Sequence, residues 1–142
     1  MAEQDLIRLA RENLEAFNAG DWQRYRVPLA PDAVHEEVAT KQRMQGPDQI
    51  VQLAQGWKQA FPDARGTIKN AFASGDKVAL EITYEGTQTG PLAGPGGTIP
   101  PSGKRAVVQG AQVITFQGDK IKEIREYFDL MTLLQQIGAA PQ

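Results

Sequence analysis

The chain has no cysteine and only one histidine among its 142 residues. Without thiols, disulfides and thiolate chemistry are excluded, and a reducing compartment is compatible with the composition. One histidine excludes a His-rich metal site. Long apolar runs are missing too: nothing approaches the ~18 consecutive apolar residues of a membrane-spanning helix. The opening MAEQDLIRLARENLEAF interleaves charges with apolar residues and lacks the apolar core of a signal peptide. Nor is there an excess of one charge, since the formal net charge is −2 and the basic residues are scattered. That pattern provides no electrostatic footprint for nucleic acid. There is no internal repeat and no low-complexity linker. The expectation is a single soluble cytoplasmic domain over residues 1–142, long enough for a real core, binding neither nucleic acid nor membrane.

What is present is periodicity. Leu6, Ala10, Leu14 and Phe17 form one apolar stripe at helical spacing, ended by Ala19-Gly20-Asp21. Asp21 can cap a short second helix through Trp22 and Tyr25, which Pro28 and Pro31 end. Residues 33–38 (AVHEEV) read as a first strand, with His35 and Glu37 on one face and Val34, Glu36 and Val38 on the other; 39–46 read as a polar loop. Gly46-Pro47-Asp48 opens a third helix carrying Ile50, Leu53, Ala54, Trp57 and Phe61 until Pro62 closes it.

Strands dominate thereafter. Residues 65–74 and 77–87 form a hairpin across Ser74-Gly75-Asp76. Residues 86–103 are rich in Gly, Pro and Thr, too irregular for a central strand and suited to a mobile rim or lid. From Lys104 two long strands meet at the Gly118-Asp119 turn, and a closing helix carries Leu130, Leu133, Leu134 and Ile137 inward and ends at Gly138. Helices first, then antiparallel strands with helices on one face, is an α+β layout, and a bent sheet wrapped around helices makes a cone with a pocket at its open end.

The two long strands each carry one polar intruder on an apolar face. Gln112 shares its face with Val108, Gly110, Ile114 and Phe116; Glu126 lies between Ile124 and Phe128. Burying such groups unpaired costs ~1–3 kcal/mol, so a polar-floored pocket is the expectation. A carboxylate there would have its pKa raised by desolvation toward the range of a useful acid/base, and Gln112 could hydrogen-bond an enolate or oxyanion.

Several ordered motifs resemble the NTF2-like superfamily and, within it, the SnoaL-like polyketide cyclase (ester cyclase) family. They are Phe61-Pro62-Asp63, Gly86-Thr87-Gln88-Thr89-Gly90-Pro91, Pro100-Pro101-Ser102-Gly103-Lys104-Arg105, Asp119-Lys120-Ile121-Lys122-Glu123, Tyr127-Phe128-Asp129 and Leu133-Leu134-Gln135-Gln136-Ile137-Gly138. The resemblance implies a cone of strongly curved, mostly antiparallel sheet around N-terminal helices with a short C-terminal helix. It implies intramolecular aldol chemistry on a polyketide ester without metal or organic cofactor. The family's acid on the last strand matches Glu126 and its histidine on the preceding strand matches Gln112, so both residue types differ here. A limonene-type epoxide hydrolase branch is also similar, but its Arg-x-Asp pair has no counterpart in 109–115.

The candidate catalytic residues are therefore Glu126 and Gln112. His35, Glu37, Trp57, Phe61, Tyr84, Ile124 and Phe128 are candidates for lining a substrate pocket, although His35 and Glu37 could be solvated near a sheet edge and the aromatics could be plain core. Asp129 reads as a helix N-cap or a site residue. Two functions remain open: a cofactor-free cyclase or isomerase acting on a small apolar carbonyl compound, and a non-catalytic binder of a small hydrophobic ligand. Glu81, Thr83, Glu85, Gln109, Val113 and Thr115 form an outer sheet face of mixed polarity, suited to a homodimer, as is common in the superfamily.

Overall fold

A computed structural model of the chain describes residues 1–94 and 96–141. Helix α1 (Glu3–Ala19) buries Leu6, Ala10 and Leu14 and stops at Gly20, whose φ of 66° suits a residue without Cβ. Helix α2 (Trp22–Arg26) is capped by the Asp21 carboxylate, which accepts from the Arg24 amide at 3.2 Å. Strand β1 (Leu29–Glu37) and β2 (Gln42–Gln45) follow, then α3 (Pro47–Ala60), β3 (Arg65–Ser74) and β4 (Lys77–Thr87). The chain continues through β5 (Leu92–Gly94), β6 (Gly97–Ile99), β7 (Arg105–Gln117), β8 (Lys120–Phe128) and α4 (Leu130–Gln136).

Six strands form one sheet in the order β2-β1-β8-β7-β4-β3, and β1 runs parallel to β8 while every other neighbouring pair is antiparallel. Register shifts interrupt β1 between Leu29 and Val34, β3 between Ile68 and Asn70, and β8 between Ile121 and Glu123, opposite Phe116 and Thr115. Bulges bend and twist a strand, and three of them help curl this sheet into the expected α+β cone. The concave face carries two apolar clusters. Leu6, Leu14 and Ile50 from the helices meet Leu80, Ile82, Ile114 and Ile124 in the larger one. Phe61, Leu92, Val108, Leu133 and Ile137 form the smaller one beside α4.

Three local expectations change. The first strand starts at Leu29, because the ladder resumes on either side of Pro31, which sits within the register shift where its missing N–H is tolerated. The polar loop at 39–46 contains β2, which folds back on β1 after a tight turn with Lys41 at φ 59°. The Gly/Pro-rich stretch holds the hairpin β5–β6 and is tied down by Gln88, a fully buried side chain. Its amide nitrogen donates to the carbonyls of Gly90, Ile99 and Pro100, and its oxygen accepts from the Ser102 amide. One buried amide thus replaces the backbone pairing this stretch lacks. Among the described residues no helix is long and apolar enough to cross a membrane.

The same stretch is clamped to α3, since Gly90 donates its amide to Ala60 and a Cβ at Gly90 would lie 2.1 Å from the Gln59 carbonyl oxygen. Gly90→Ala is expected to destabilise the fold by roughly 1–3 kcal/mol through forced backbone displacement. Urea unfolding measures this, and an unchanged midpoint would refute the clamp.

Candidate functional site

The sheet's concave face and helices α1–α4 enclose a cavity of about 100 Å³. Its floor is polar. The register places Gln112 of β7 opposite Glu126 of β8, and Glu126 in turn beside Glu37 of β1. Alternation along β1 then turns His35 and Glu37 to the same inner face, where they are 5% and 1% exposed.

Glu126 lies in the cavity lining with one carboxylate oxygen, Oε2, held by two donors. The Tyr84 hydroxyl donates at 2.8 Å and the Gln112 amide nitrogen donates to the same oxygen. Tyr84 reaches across because Gly110 stands between the two strands' side chains; a Cβ there would lie 2.9 Å from the Tyr84 ring. Oε1 has no protein donor among the described residues and is not sealed off. Desolvation raises the Glu126 pKa above its ordinary value, and the bonds from Gln112 and Tyr84 hold the rise back.

Glu37 is satisfied differently. Its two oxygens accept from the Thr40 hydroxyl and the Trp57 indole N–H, each at 2.7 Å. Burial still raises its pKa, with Glu126 adding to the rise. His35 has neither ring nitrogen paired, and burial lowers its pKa from 6.5 to about 4, so it is neutral near pH 7. One ligand atom each from His35, Glu37 and Glu126 lies within 4.8 Å of the other two. The set is of a kind that could hold a cation, though the sequence reading expected no metal.

The walls are aromatic. Trp57 stands edge-on to Phe128 at 5.5 Å between ring centroids and stacks on Phe61 at 6.3 Å. His35, Glu37, Trp57, Phe61, Tyr84, Gln112, Glu126 and Phe128 all line the cavity. Ile124 does not: it packs in the larger apolar cluster at 1% exposure, one alternation below Glu126 and under the floor. Asp129 is an exposed N-cap, accepting from the Thr132 amide at 3.0 Å and the Thr132 hydroxyl at 2.6 Å, which holds its pKa below the usual range. It is absent from the cavity lining.

Sequence reasoning missed Tyr25. It is buried at 6% exposure, lines the cavity, and feels both Glu126 and Glu37, which add to burial in raising its pKa. Its hydroxyl has no hydrogen-bond partner in the protein among the described residues. No local pattern marks it, because the five-residue helix α2 gains its orientation only by packing against α1 and α3. Gln112, expected to hydrogen-bond an enolate or oxyanion, instead turns its amide nitrogen to Glu126.

The buried histidine makes a pH prediction with a definite sign. A folded pKa of about 4 against 6.5 means that the unfolded chain binds the proton first as pH falls. His35 therefore removes roughly 3 kcal/mol of stability between pH 6.5 and 4, while Glu37 and Glu126, with raised values, act in the opposite direction. His35→Gln is expected to gain stability relative to wild type progressively below pH 6.5. Denaturant melts of both across that range measure it; a constant difference would refute a buried neutral His35.

Solved structures share this architecture. AclR from Streptomyces galilaeus superposes with a TM-score of 0.84 at 26% identity, over 99% of this chain and 89% of its own. TsrD from Streptomyces laurentii gives 0.84 at 25% identity over 98% of both chains. A SnoaL-like protein from Jannaschia sp. CCS1 gives 0.86 at 22% identity, over 98% of this chain and 95% of its own. No curated protein matches the chain at a significant level. The family model described as SnoaL-like polyketide cyclase matches residues 7–137, from the second turn of α1 to just past the end of α4. The chain belongs to the SnoaL-like polyketide cyclase family.

Proposed function

We propose that this protein is an enzyme performing cofactor-independent acid/base chemistry, an aldol-type cyclisation or an isomerisation, on a small carbonyl compound bound in the cone cavity. The observation that carries the proposal is the state of Glu126: enclosed, desolvated, fixed through Oε2 by Tyr84 and Gln112, with Oε1 left accessible. A carboxylate so held has a preset orientation and a raised basicity. In the proposed step Oε1 removes a proton from the carbon next to a carbonyl, and the electron pair moves to the carbonyl oxygen as an enolate. The enolate carbon then closes on a second carbonyl, or is reprotonated elsewhere, and Glu126 returns the proton.

An enolate needs a donor. Gln112 matches the family's histidine in position, but its amide is engaged with Glu126, so its role is to position the base. The free donor is the Tyr25 hydroxyl, whose raised pKa keeps it protonated. Trp57, Phe61 and Phe128 supply an apolar wall for the substrate's carbon frame. The aromatic wall equally suits a non-catalytic binder of a small hydrophobic ligand. The epoxide hydrolase reading has less support, since among the described residues no arginine lines the cavity.

Deuterium exchange and ring closure across a panel of carbonyl compounds test the proposal. Glu126→Gln is expected to lower kcat by ~10²–10⁴-fold. The kcat–pH profile should rise through a pKa above the ordinary 4.5 of Glu126. Because the bonds from Tyr84 and Gln112 lower that pKa, Tyr84→Phe should move the rising limb to higher pH. Tight ligand binding that survives Glu126→Gln, with no turnover of any panel member, would establish the binder instead.

We also propose a homodimer through the outer sheet face. Phe72 is 59% exposed there and continues across the ladder into Ala79 and Val113, beside Glu81, Thr83, Glu85, Gln109 and Thr115. Light scattering should give twice the chain mass at micromolar concentration, and Phe72→Glu should return the monomer; a wild-type monomer refutes this interface.

A further inference from the structure

Not every polar group around the cavity is open to a ligand. Both His35 ring nitrogens are sealed, and Glu37 is 1% exposed with each oxygen already engaged. The lining atoms that are neither paired nor sealed include the Tyr25 hydroxyl, Glu126 Oε1, Gln112 Oε1 and Asn13 Oδ1. Of these four, the hydroxyl alone is a donor once Glu126 is ionised. The acid/base step uses Glu126 and Tyr25, and Gln112 holds the base. Neither that step nor the fold uses the oxygen of Asn13.

Asn13 lies in the interior of α1, on the stripe that otherwise carries Leu6, Ala10, Leu14 and Phe17, and is 5% exposed. Asparagine is a poor residue for a helix interior, and a buried amide needs partners at both ends. Its Nδ2 donates to the Tyr25 carbonyl at 3.3 Å, at the C-terminal end of α2 where carbonyls lack helical partners. A carbonyl accepts only from the nitrogen, so this bond fixes which way the amide points and leaves Oδ1 for the cavity. The structural tie between α1 and α2 needs the nitrogen alone. The oxygen has no partner among the described residues, on a wall whose neighbouring side chains, Leu14 and Phe17, are apolar.

We infer that Asn13 is a specificity-determining residue, its Oδ1 accepting a hydrogen bond from an uncharged hydroxyl on the ligand. The substrate is then a hydroxylated carbonyl compound. Its acidic C–H meets Glu126, its carbonyl oxygen meets Tyr25, and its hydroxyl meets Asn13. A ligand without that hydroxyl leaves Oδ1 buried and unpaired, and this loss gives the residue its power to discriminate. A fluorine in the same place fills the space and offers no donor. The inference rests on the cavity being the ligand site and is independent of turnover at Glu126.

Isothermal titration of the full chain with acetophenone, 3′- and 4′-hydroxyacetophenone and the matching fluoroacetophenones tests it, at a mildly acidic pH where the phenols are un-ionised. At least one hydroxy isomer should bind one to one, ~3- to 10-fold more tightly than both acetophenone and its fluoro analogue, the scale of one neutral hydrogen bond. In Asn13→Leu, checked for folding by circular dichroism, that ratio should collapse to about one, because only the preference for the hydroxyl depends on Oδ1. In the wild type, the Asn13 side-chain amide resonances should move differently with the hydroxy compound than with its fluoro analogue. If Asn13→Leu does not fold, those resonances decide.

Equal binding of the hydroxy and fluoro compounds, or no binding of either hydroxy isomer, would overturn the inference. So would a preference that survives Asn13→Leu, which would assign the hydroxyl to Gln112 or Glu126, and so would identical shifts of the Asn13 amide. Turnover of a carbonyl compound with no hydroxyl preference sinks this inference alone. A preference that is lost with Asn13, without turnover, sinks the catalytic reading alone.

Discussion

The enclosure of two carboxylates in an apolar cone is the constraint to which the rest of the structure answers. A buried acid must be given donors or a proton, and the fold provides donors from four separate places. Tyr84 on β4 and Gln112 on β7 serve Glu126; Thr40 in the turn after β1 and Trp57 on α3 serve Glu37. Each donation depends on register. A one-residue slip between β7 and β8 would send Glu126 to the outer face and leave Gln112 opposite Arg125 or Tyr127 instead. The glycine at position 110 belongs to the same arrangement, because any larger residue would displace the Tyr84 ring from its path to Glu126.

Around that floor the fold separates two tasks. The larger apolar cluster under the floor, with Ile82, Ile114 and Ile124 nearly inaccessible, supplies stability. The smaller cluster beside α4 forms the aromatic side of the cavity and is roofed by the stretch that Gln88 ties together. The site is thereby held by strands and helices, with the loops serving as rim. Positions that must be accurate to fractions of an ångström lie on the rigid elements.

Within this member of the SnoaL-like family the acid's hydrogen-bond donors are neutral. Glutamate at 126 meets the Tyr84 hydroxyl with one carboxylate oxygen. Glutamine at 112 donates to the same oxygen from its amide nitrogen. Together with burial, which raises the pKa of the acid, these two neutral hydrogen bonds, which lower it, set its state.

Much of this was legible in the chain itself. Period-two and helical spacing locate α1, α3, β3, β4, β7, β8 and α4 to within a residue or two, and the polar intruders Gln112 and Glu126 mark the inner face. Those signals are local, arising from alternation of side chains and from caps such as Asp21 and Asp129. What escaped was non-local. Nothing near Tyr25 indicates that α2 turns it into the cavity. Nothing near Gln88 indicates that its amide replaces a missing ladder, and β2 is invisible until β1 offers it an edge. Ile124 and Phe128 alternate identically with Glu126, yet one is beneath the floor and the other is wall, because a curved sheet gives different depths to residues of one face. The sequence by itself determined which residues share a face; only the tertiary structure decided which of them meet, since hydrogen bonds between distant strands and the depth of burial depend on register and curvature that no short window of residues contains.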